Sequence, residues 1–365
     1  MSFSEADVQG ALRNLIDPNT KKDFVKGKSV KNIKIEGSDI SLDIMLGYPA
    51  KSVWGDIRAM VEAHLKTAFP DAGRISVNVS SKVVQHAVQR GVKLVDGVKN
   101  IITVASGKGG VGKSTTAVNL ALALAAEGAR VGMLDADIYG PSQPTMLGIT
   151  GQPATTSDGK SIEPMHGHGI QAMSIGFLVN GADTPMIWRG PMVIQALDQL
   201  LHQTKWDDLD YLVVDLPPGT GDIQLSLAQK VPVTGAVIVT TPQDIALMDA
   251  RKGLKMFEKV GIKIIGIVEN MSTHICSKCG HEEHIFGAGG GEKMCADYNV
   301  EFLGSLPLDI NIREQADSGN PTVMADPDGR IAGIYKQIGR RIAVKIAEMA
   351  QEHNVAFPKI VVQNS

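Results

Sequence analysis

A glycine-rich segment between a short apolar strand and a long helical stretch constrains this chain more than any other feature. The spacing G-x-x-x-x-G-K-[ST] is met by Gly107, Gly112, Lys113 and Ser114, directly after IITVAS and just before TTAVNLALALAAEG. Glycines let backbone N–H groups turn toward a phosphate, and the start of the helix adds partial positive charge. The sequence therefore predicts a phosphate-binding loop formed by Gly107, Lys108, Gly109, Gly110, Val111, Gly112, Lys113, Ser114 and Thr115.

The side chains of this loop have distinct predicted roles. Lys113 is expected to reach the outer phosphates of a nucleotide, and the Ser114 hydroxyl is expected to bind Mg²⁺. Lys108 is a second lysine, at a position where the general motif specifies nothing. A cation beside a triphosphate can stabilise the charge that develops during phosphoryl transfer, as arginine fingers do. The alternative for Lys108 is an exposed lysine without such a role.

The loop stands at the start of a regular alternation of strands and helices. From residue 101 onward, helical stretches separate the apolar runs IITVAS, RVGMLD, YLVVDL, GAVIVTT, IKIIGIVEN and EFLGSLP. Strands this apolar are typical of a mostly parallel sheet that helices cover on both faces. The predicted fold class is therefore α/β, with a doubly wound, mostly parallel sheet over residues 100–365.

The first 80 residues have a different pattern. Their periodicity predicts a helix over 5–15, alternating strands over 30–35 and 40–46, a helix over 52–69 and a strand over 74–79. Residues 81–99 mix polar, basic and glycine residues, which is typical of a linker. The sequence thus predicts a small α+β domain over 1–80, a linker over 81–99 and the α/β domain over 100–365.

Composition excludes several classes of protein. The chain of 365 residues has 43% hydrophobic and 21% charged residues, which is ordinary for a globular protein. No apolar run approaches the roughly 20 residues of a membrane span, and a formal charge of −3 gives no basic footprint for nucleic acid. The acidic start MSFSEADVQG is unlike a secretory signal. We therefore expect a cytoplasmic protein that binds neither membrane nor nucleic acid.

Acidic residues follow two of the predicted strands. Asp135 and Asp137 come after RVGML, and Asp215 ends YLVVD. Ligands of doubly wound sheets lie beyond the carboxyl ends of the strands, so these carboxylates are candidates for Mg²⁺ and water. Asp215 fits the residue that holds Mg²⁺, Asp135 would support the metal, and Asp137 would orient or deprotonate the attacking water. Asn270, at the end of IVEN, is a candidate nucleotide-binding residue.

The three cysteines cannot form a disulfide framework, and two of them stand as C-x-x-C in HICSKCGHEEH. Thiolates three positions apart select zinc or an iron–sulfur cluster, but Cys276 and Cys279 are only two ligands. Three completions are open: a redox pair, a zinc site that recruits His281 and His284, and a site shared by two subunits. The redox pair ranks last, since the chain lacks a thioredoxin-like unit. Cys295 is predicted to be a buried helix thiol.

The loop GKGGVGKST resembles the deviant phosphate loop of the MinD/ParA/nitrogenase-iron-protein class. The resemblance implies that Lys108 reaches across a homodimer to the partner's nucleotide. It also implies that Asp137, the second Asp of D-x-D, is the hydrolytic residue, and that Asn270 contacts the adenine edge. A dimer would complete a shared site, because two cysteines from each chain make the four thiolates of a [4Fe–4S] cluster.

A larger set of motifs resembles one family within that class. GKGGVGKST, DADIYGPS, WRGPM, DLPPGTGD and C-x-x-C-G before IFGAGGG look like the Mrp/ApbC family of iron–sulfur cluster carrier ATPases, from about residue 101 to the C-terminus. The resemblance implies a homodimer that binds ATP, Mg²⁺ and a [4Fe–4S] cluster, receives the cluster from assembly proteins and passes it to apo iron–sulfur proteins. IDPN and GYPAKS resemble a small iron–sulfur-assembly helper domain. Stand-alone members carry a cysteine near the position of residues 50–52, where this chain has none.

Three other functions compete with the carrier. A MinD/ParA-like positioning ATPase would ride on DNA or membrane, but RRIAVKIAEMAQEH mixes both charges and has no aromatic anchor. A nitrogenase-reductase-like electron donor would share the cluster geometry without transferring the cluster. A zinc-stabilised nucleotide switch would hold zinc at the cysteine pair.

Overall fold

The computed structural model describes residues 3–86, 93–178, 190–276 and 278–356, apart from the side chains of residues 222, 223 and 351–356. The chain divides into two compact units. One comprises Met1–Val84 with Ala126–Gly128, and the other comprises Gln85–Ala125 with Ala129–Ser365. The fold class predicted from the sequence is confirmed, because the second unit contains a large, mostly parallel sheet between helices.

The first unit is a small α+β structure. Its sheet has the order β1-β2-β3, in which β2 pairs antiparallel with β1 and parallel with β3. Alternate residues of β2 are buried because successive side chains of a strand point to opposite faces. The first helix ends earlier than the predicted residue 15, and a short 3₁₀ turn precedes the second. The elements are α1 (Glu5–Leu12), β1 (Val30–Glu36), β2 (Asp39–Leu46), α2 (Trp54–Ala68) and β3 (Ile75–Ser81).

The second unit contains an eight-stranded sheet with the order β13-β10-β9-β4-β8-β5-β7-β6. Its central strands are buried along their whole length, as expected of strands that are covered on both faces. The strands are β4 (Ile101–Ala105), β5 (Val131–Asp135), β6 (Met165–Gly167), β7 (Ile170–Ser174), β8 (Tyr211–Asp215), β9 (Gly235–Thr240), β10 (Ile264–Glu269) and β13 (Phe302–Ser305).

The six predicted apolar runs are all strands of this sheet, but two further strands were missed. β7 pairs parallel with β5, and β6 pairs antiparallel with β7 at the edge of the sheet. Their sequence, MHGHGIQAMS, contains two glycines, two histidines and a single β-branched residue. Strand propensity depends on packing against neighbours, so a short strand of this composition gives little sequence pattern.

Helices and a small ribbon complete the second unit. The ribbon consists of β11 (His274–Ile275) and β12 (Glu282–Glu283), which pair antiparallel. No helix within the described ranges combines the length and apolar character needed to cross a bilayer. The helices are α3 (Lys113–Ala126), α4 (Gln143–Met146), α5 (Gly190–Gln203), α6 (Asp222–Lys230), α7 (Asp244–Lys259), α8 (Gly290–Tyr298), α9 (Ile310–Asp317), α10 (Thr322–Ala325) and α11 (Arg330–Ala356).

Candidate functional site

The glycine-rich loop joins the carboxyl end of β4 to the start of α3, as the motif requires. Gly110 and Gly112 have φ angles of +83° and +81°, in the left-handed region that side chains disfavour. A Cβ on Gly107 would lie 2.2 Å from the carbonyl carbon of Asp249 in α7, and one on Gly112 would lie 2.2 Å from Asn270 Nδ2. The loop therefore needs glycine for its conformation and for close packing against its neighbours.

Gly112→Ala is expected to weaken nucleotide binding about 5- to 150-fold, because the loop must leave its present conformation to relieve a strain of about 1–3 kcal/mol at positive φ. The added Cβ would also push Asn270 away from the loop. A fluorescent ATP analogue measures the affinity. Gly151→Ala is the control, since Gly151 has a φ of +97° and open space around its Cβ outside the loop. Equal affinity in Gly112→Ala and wild type would contradict the assigned role of Gly112.

Lys113 lies among the oxygens that were predicted to hold Mg²⁺. Its ammonium forms a short hydrogen bond and ion pair with Asp215. It also lies 3.1 Å from Ser114 Oγ and 4.0 Å from Asp137 Oδ2. The Lys113 side chain is only 6% exposed and that of Asp215 is fully buried. The structure thus brings four of the predicted site residues together around one positive charge.

Asp135 directs its carboxylate toward the backbone of the segment that follows it. Oδ1 accepts the Asp137 N–H at 3.1 Å, and Oδ2 accepts the N–H groups of Ser142 and Gln143, each at 3.0 Å. The Ser174 hydroxyl also donates to Oδ2, at 3.1 Å. Burial, followed by the charge of Asp215, raises the pKa of Asp135 to about 7. Asp135 therefore organises residues 137–143, a role that the spacing D-x-D did not reveal.

Asp137 lies at the more accessible end of this group. Its side chain is 14% exposed, and burial raises its pKa above the usual range against the opposing effect of Lys113. A carboxylate with a raised pKa beside the Lys113 ammonium suits a group that accepts a proton.

Sequence reasoning missed Gln143, the first residue of α4. Its Nε2 donates to Asp215 Oδ2 at 2.9 Å and to the Ser114 carbonyl oxygen at 3.2 Å. The only sequence indication was its position directly after DADIYGPS, a motif that already marked this segment.

Asn270 closes the other side of the loop. Its Nδ2 donates to the carbonyl oxygen of Val111 at 2.9 Å, and its side chain is buried. A cavity of about 270 Å³ lies nearby, at the carboxyl ends of β10 and β13. Residues that line it include Glu269, Ser272, His284, Pro307 and Arg330.

The outer rim of the loop faces solvent. Lys108, Gly109 and Gly110 are exposed, whereas Val111 and Lys113 are buried. The Lys108 carbonyl oxygen accepts a hydrogen bond from Ser106 Oγ at 2.9 Å, which holds its backbone in place. Trp188 and Arg189 of the WRGPM motif lie outside the described residues.

Cys276 and Cys279 lie in the turn that joins β11 to β12. The Cys276 N–H donates to the His281 carbonyl oxygen at 2.9 Å, and the Gly280 N–H donates to the Cys276 carbonyl oxygen at 2.8 Å. Gly280 has a φ of +72°, which tightens the turn. The backbone N–H groups of Lys278 and Cys279, and the Cys279 thiol, lower the pKa of Cys276. Cys276 is half-buried and Cys279 is exposed.

The histidines after this turn are not gathered around the thiols. His284 Nδ1 pairs with the Ser272 carbonyl oxygen at 2.8 Å. Among the residues that the structure describes, no group of three or more Cys, His, Asp or Glu side chains could hold a metal ion. Cys295 is a buried thiol of α8, as predicted, in a core cluster with α7 and β10. Burial raises its pKa to about 12.

Known protein families and individual relatives match most of this chain. Residues 97–343 match the family model described as NUBPL iron-transfer P-loop NTPase, and residues 5–79 match one described as iron–sulfur cluster assembly protein. The "Iron-sulfur cluster carrier protein" of Escherichia coli is 50% identical over 341 residues, covering 93% of this chain and 92% of that protein. The mouse "Iron-sulfur cluster transfer protein NUBPL" is 51% identical, covering 70% of this chain and 80% of its own.

A solved structure extends the comparison. A nucleotide-binding protein from Archaeoglobus fulgidus, in complex with ADP, has a TM-score of 0.55 and 37% identity, and the match covers 61% of this chain and 88% of that one. The resemblance to carrier ATPases that the motifs indicated is thereby confirmed at the level of the family. The chain belongs to the NUBPL iron-transfer P-loop NTPase family.

Proposed function

We propose that this protein is an ATP-hydrolysing carrier that holds a [4Fe–4S] cluster between two copies of itself and delivers it to apo iron–sulfur proteins. The observation that carries the proposal is the hydrogen-bonded turn in which the Cys279 thiol contacts that of Cys276, one thiol half-buried and the other exposed. Two thiolates are half of the ligand set of such a cluster, so two copies supply all four. The names of the E. coli and mouse relatives support an iron–sulfur cluster as the group that this protein carries.

The oxygens around Lys113 fit a nucleotide with Mg²⁺. Ser114 and Asp215 offer hydroxyl and carboxylate oxygens, the donors that Mg²⁺ takes, and the ammonium of Lys113 already occupies a position for a cation between them. Asp135 supports that site indirectly through the segment 137–143. Bound Mg²⁺ would neutralise charge on the phosphates. Lys113 would then pair with the outer phosphates, while the glycine-rich loop supplies backbone N–H groups.

Two further residues would act on the nucleotide. The side-chain amide nitrogen of Asn270 donates to the Val111 carbonyl oxygen, so the side-chain oxygen would accept a hydrogen bond from the adenine amino group. Asp137 would accept the proton of the attacking water. Lys108 is exposed at the rim of the loop, where it would reach the nucleotide of a partner copy and stabilise the charge of the transition state. Hydrolysis in this arrangement requires the dimer.

We also propose roles for the domains and a cellular compartment for the protein. Residues 1–80 would be the helper domain, 81–99 the linker and 100–365 the ATPase that carries the cluster. A cluster donor would load the dimer, and the reducing cytoplasm would keep the free thiols available.

Anaerobic reconstitution with iron and sulfide tests the proposal. We expect about four iron and four sulfide per two chains, a broad visible absorbance and the mass of a dimer in solution. Adding an apo iron–sulfur protein with ATP should move the iron and sulfide to the acceptor. A zinc-loaded monomer would contradict the shared cluster. Oxidation of the cluster without transfer would instead support an electron donor.

A further inference from the structure

Gln143 has a buried side chain whose orientation is fixed by its neighbours. The residue is 1% exposed. Its two close neighbours, the Ser114 carbonyl oxygen and Asp215 Oδ2, are both hydrogen-bond acceptors. Only the amide nitrogen can face them, because the amide oxygen donates nothing. The side-chain oxygen therefore points away from Asp215 and Ser114.

This oxygen is buried and has no hydrogen-bond partner. Buried polar atoms are nearly always paired in folded proteins, and an unpaired one calls for a partner such as water, an ion or a ligand. The neighbouring Ser142 Oγ is also buried without a partner. Residues 142 and 143 thus each have a buried side-chain oxygen that no group of the described chain pairs with.

The backbone of Gln143 is held as firmly as its side chain. Its N–H and that of Ser142 both donate to Asp135 Oδ2 at 3.0 Å. Asp135 therefore sets the position of the main chain, while Asp215 and Ser114 set the position of the amide. Gln143 links the segment 135–143 directly to two residues of the proposed nucleotide site.

We propose that Gln143 is a positioning residue for the Mg²⁺ that accompanies the nucleotide. Its amide nitrogen donates to Asp215 Oδ2 and so holds in place the carboxylate that would bind the ion. The inference rests on the proposed function, since it requires a nucleotide bound with Mg²⁺ at this loop. It adds a residue that the phosphate-loop motif does not include.

Gln143→Met tests the inference, because methionine is unbranched and of similar length but lacks the amide nitrogen and the amide oxygen. The affinity of a fluorescent ATP analogue is measured in EDTA and then at increasing Mg²⁺ concentration. Residues that orient metal ligands typically contribute about 10- to 100-fold to metal affinity. We therefore expect the Mg²⁺ concentration for half-maximal tightening to rise about 10-fold or more, with affinity in EDTA within about 2-fold of wild type.

Gln171→Met is the matched control. Gln171 also makes two hydrogen bonds, donating to the Asp207 carbonyl oxygen at 3.2 Å and accepting the Asp207 N–H at 3.0 Å. It lies near the start of β7, away from the carboxyl ends of the strands. This variant should keep the wild-type Mg²⁺ dependence even where its unfolding temperature falls. Gln143→Leu provides a second apolar variant if Gln143→Met does not fold.

The outcomes separate the inference from the proposed function. An unchanged Mg²⁺ dependence in folded Gln143→Met would overturn the inference. So would an equal loss of affinity with and without Mg²⁺, since that result describes a purely structural residue. Failure of the wild-type chain to bind the nucleotide at all would overturn the proposed function as well.

Discussion

Equal mixing of two nearly inactive variants, Lys108→Ala and Asp137→Asn, should restore about a quarter of the wild-type rate of ATP hydrolysis, given random pairing in a symmetric dimer. In a mixed dimer, one nucleotide meets its own Asp137 and the partner's intact Lys108. The other nucleotide meets neither. Half of the dimers are mixed and each has one working site of two, which gives the expected fraction.

Each variant alone should be slow for a separate reason. Lys108→Ala removes a cation that would act as arginine fingers do, an effect of about 10³-fold or more on the rate. Asp137→Asn removes the proton acceptor, which typically contributes about 10²- to 10⁴-fold. Both variants should still bind the nucleotide, because Lys113 and the glycines of the loop are unchanged. Phosphate release gives the rate, and a fluorescent analogue gives the affinity.

The mixture distinguishes a lysine that acts across the dimer from one that acts on its own nucleotide. Differently tagged variants allow the mixed dimer to be isolated and counted. Mixed dimers that form but stay inactive would show that Lys108 does not serve the partner. Wild-type hydrolysis in Lys108→Ala alone would show that the exposed lysine has no part in the reaction.

Much of the second unit was predictable because its central strands are continuously apolar and buried on both faces. Such runs are recognisable in the sequence as unbroken stretches of apolar residues. The phosphate-loop spacing also predicts a strand before the loop and a helix after it. β6 and β7 were not predicted, because a short pair of strands at the edge of the sheet, with glycine and histidine in its sequence, contains no such apolar run. The place of β7 depends on its pairing with β5, and that of β6 on its pairing with β7, neither of which the sequence pattern shows.

The candidate site, too, was predictable from the sequence only in part. The spacing of Asp135, Asp137 and Asp215 predicted that carboxylates would gather at the strand ends, and Lys113 does contact Asp215. The spacing could not predict that the Asp135 carboxylate oxygens would accept hydrogen bonds from backbone N–H groups. Those bonds depend on how residues 137–143 fold back. Gln143 was missed for the same reason. Its importance comes from two acceptors that are distant in the sequence and meet only in the folded chain.

The cysteine pair carries the second large expected effect. Cys276→Ser with Cys279→Ser should reduce iron and sulfide after anaerobic reconstitution from about four of each per dimer to near zero, since serine is a poor ligand for the soft metal. The fold should survive, because Cys279 is exposed and the turn is held by backbone hydrogen bonds that a serine leaves intact. Iron and sulfide analysis, with visible absorbance, measures the loss.

Cys295→Ala is the matched control, because it removes the third cysteine from a place where no cluster ligand is expected. Cys295 is 5% exposed and packs against α7 and β10, so its replacement should lower the free energy of unfolding slightly while iron and sulfide stay at wild-type levels. Nucleotide affinity should be unchanged in the double serine variant, since the phosphate loop lies on other elements. Wild-type iron and sulfide in that variant would place the cluster elsewhere, and equal loss in Cys295→Ala would make the third thiol a ligand.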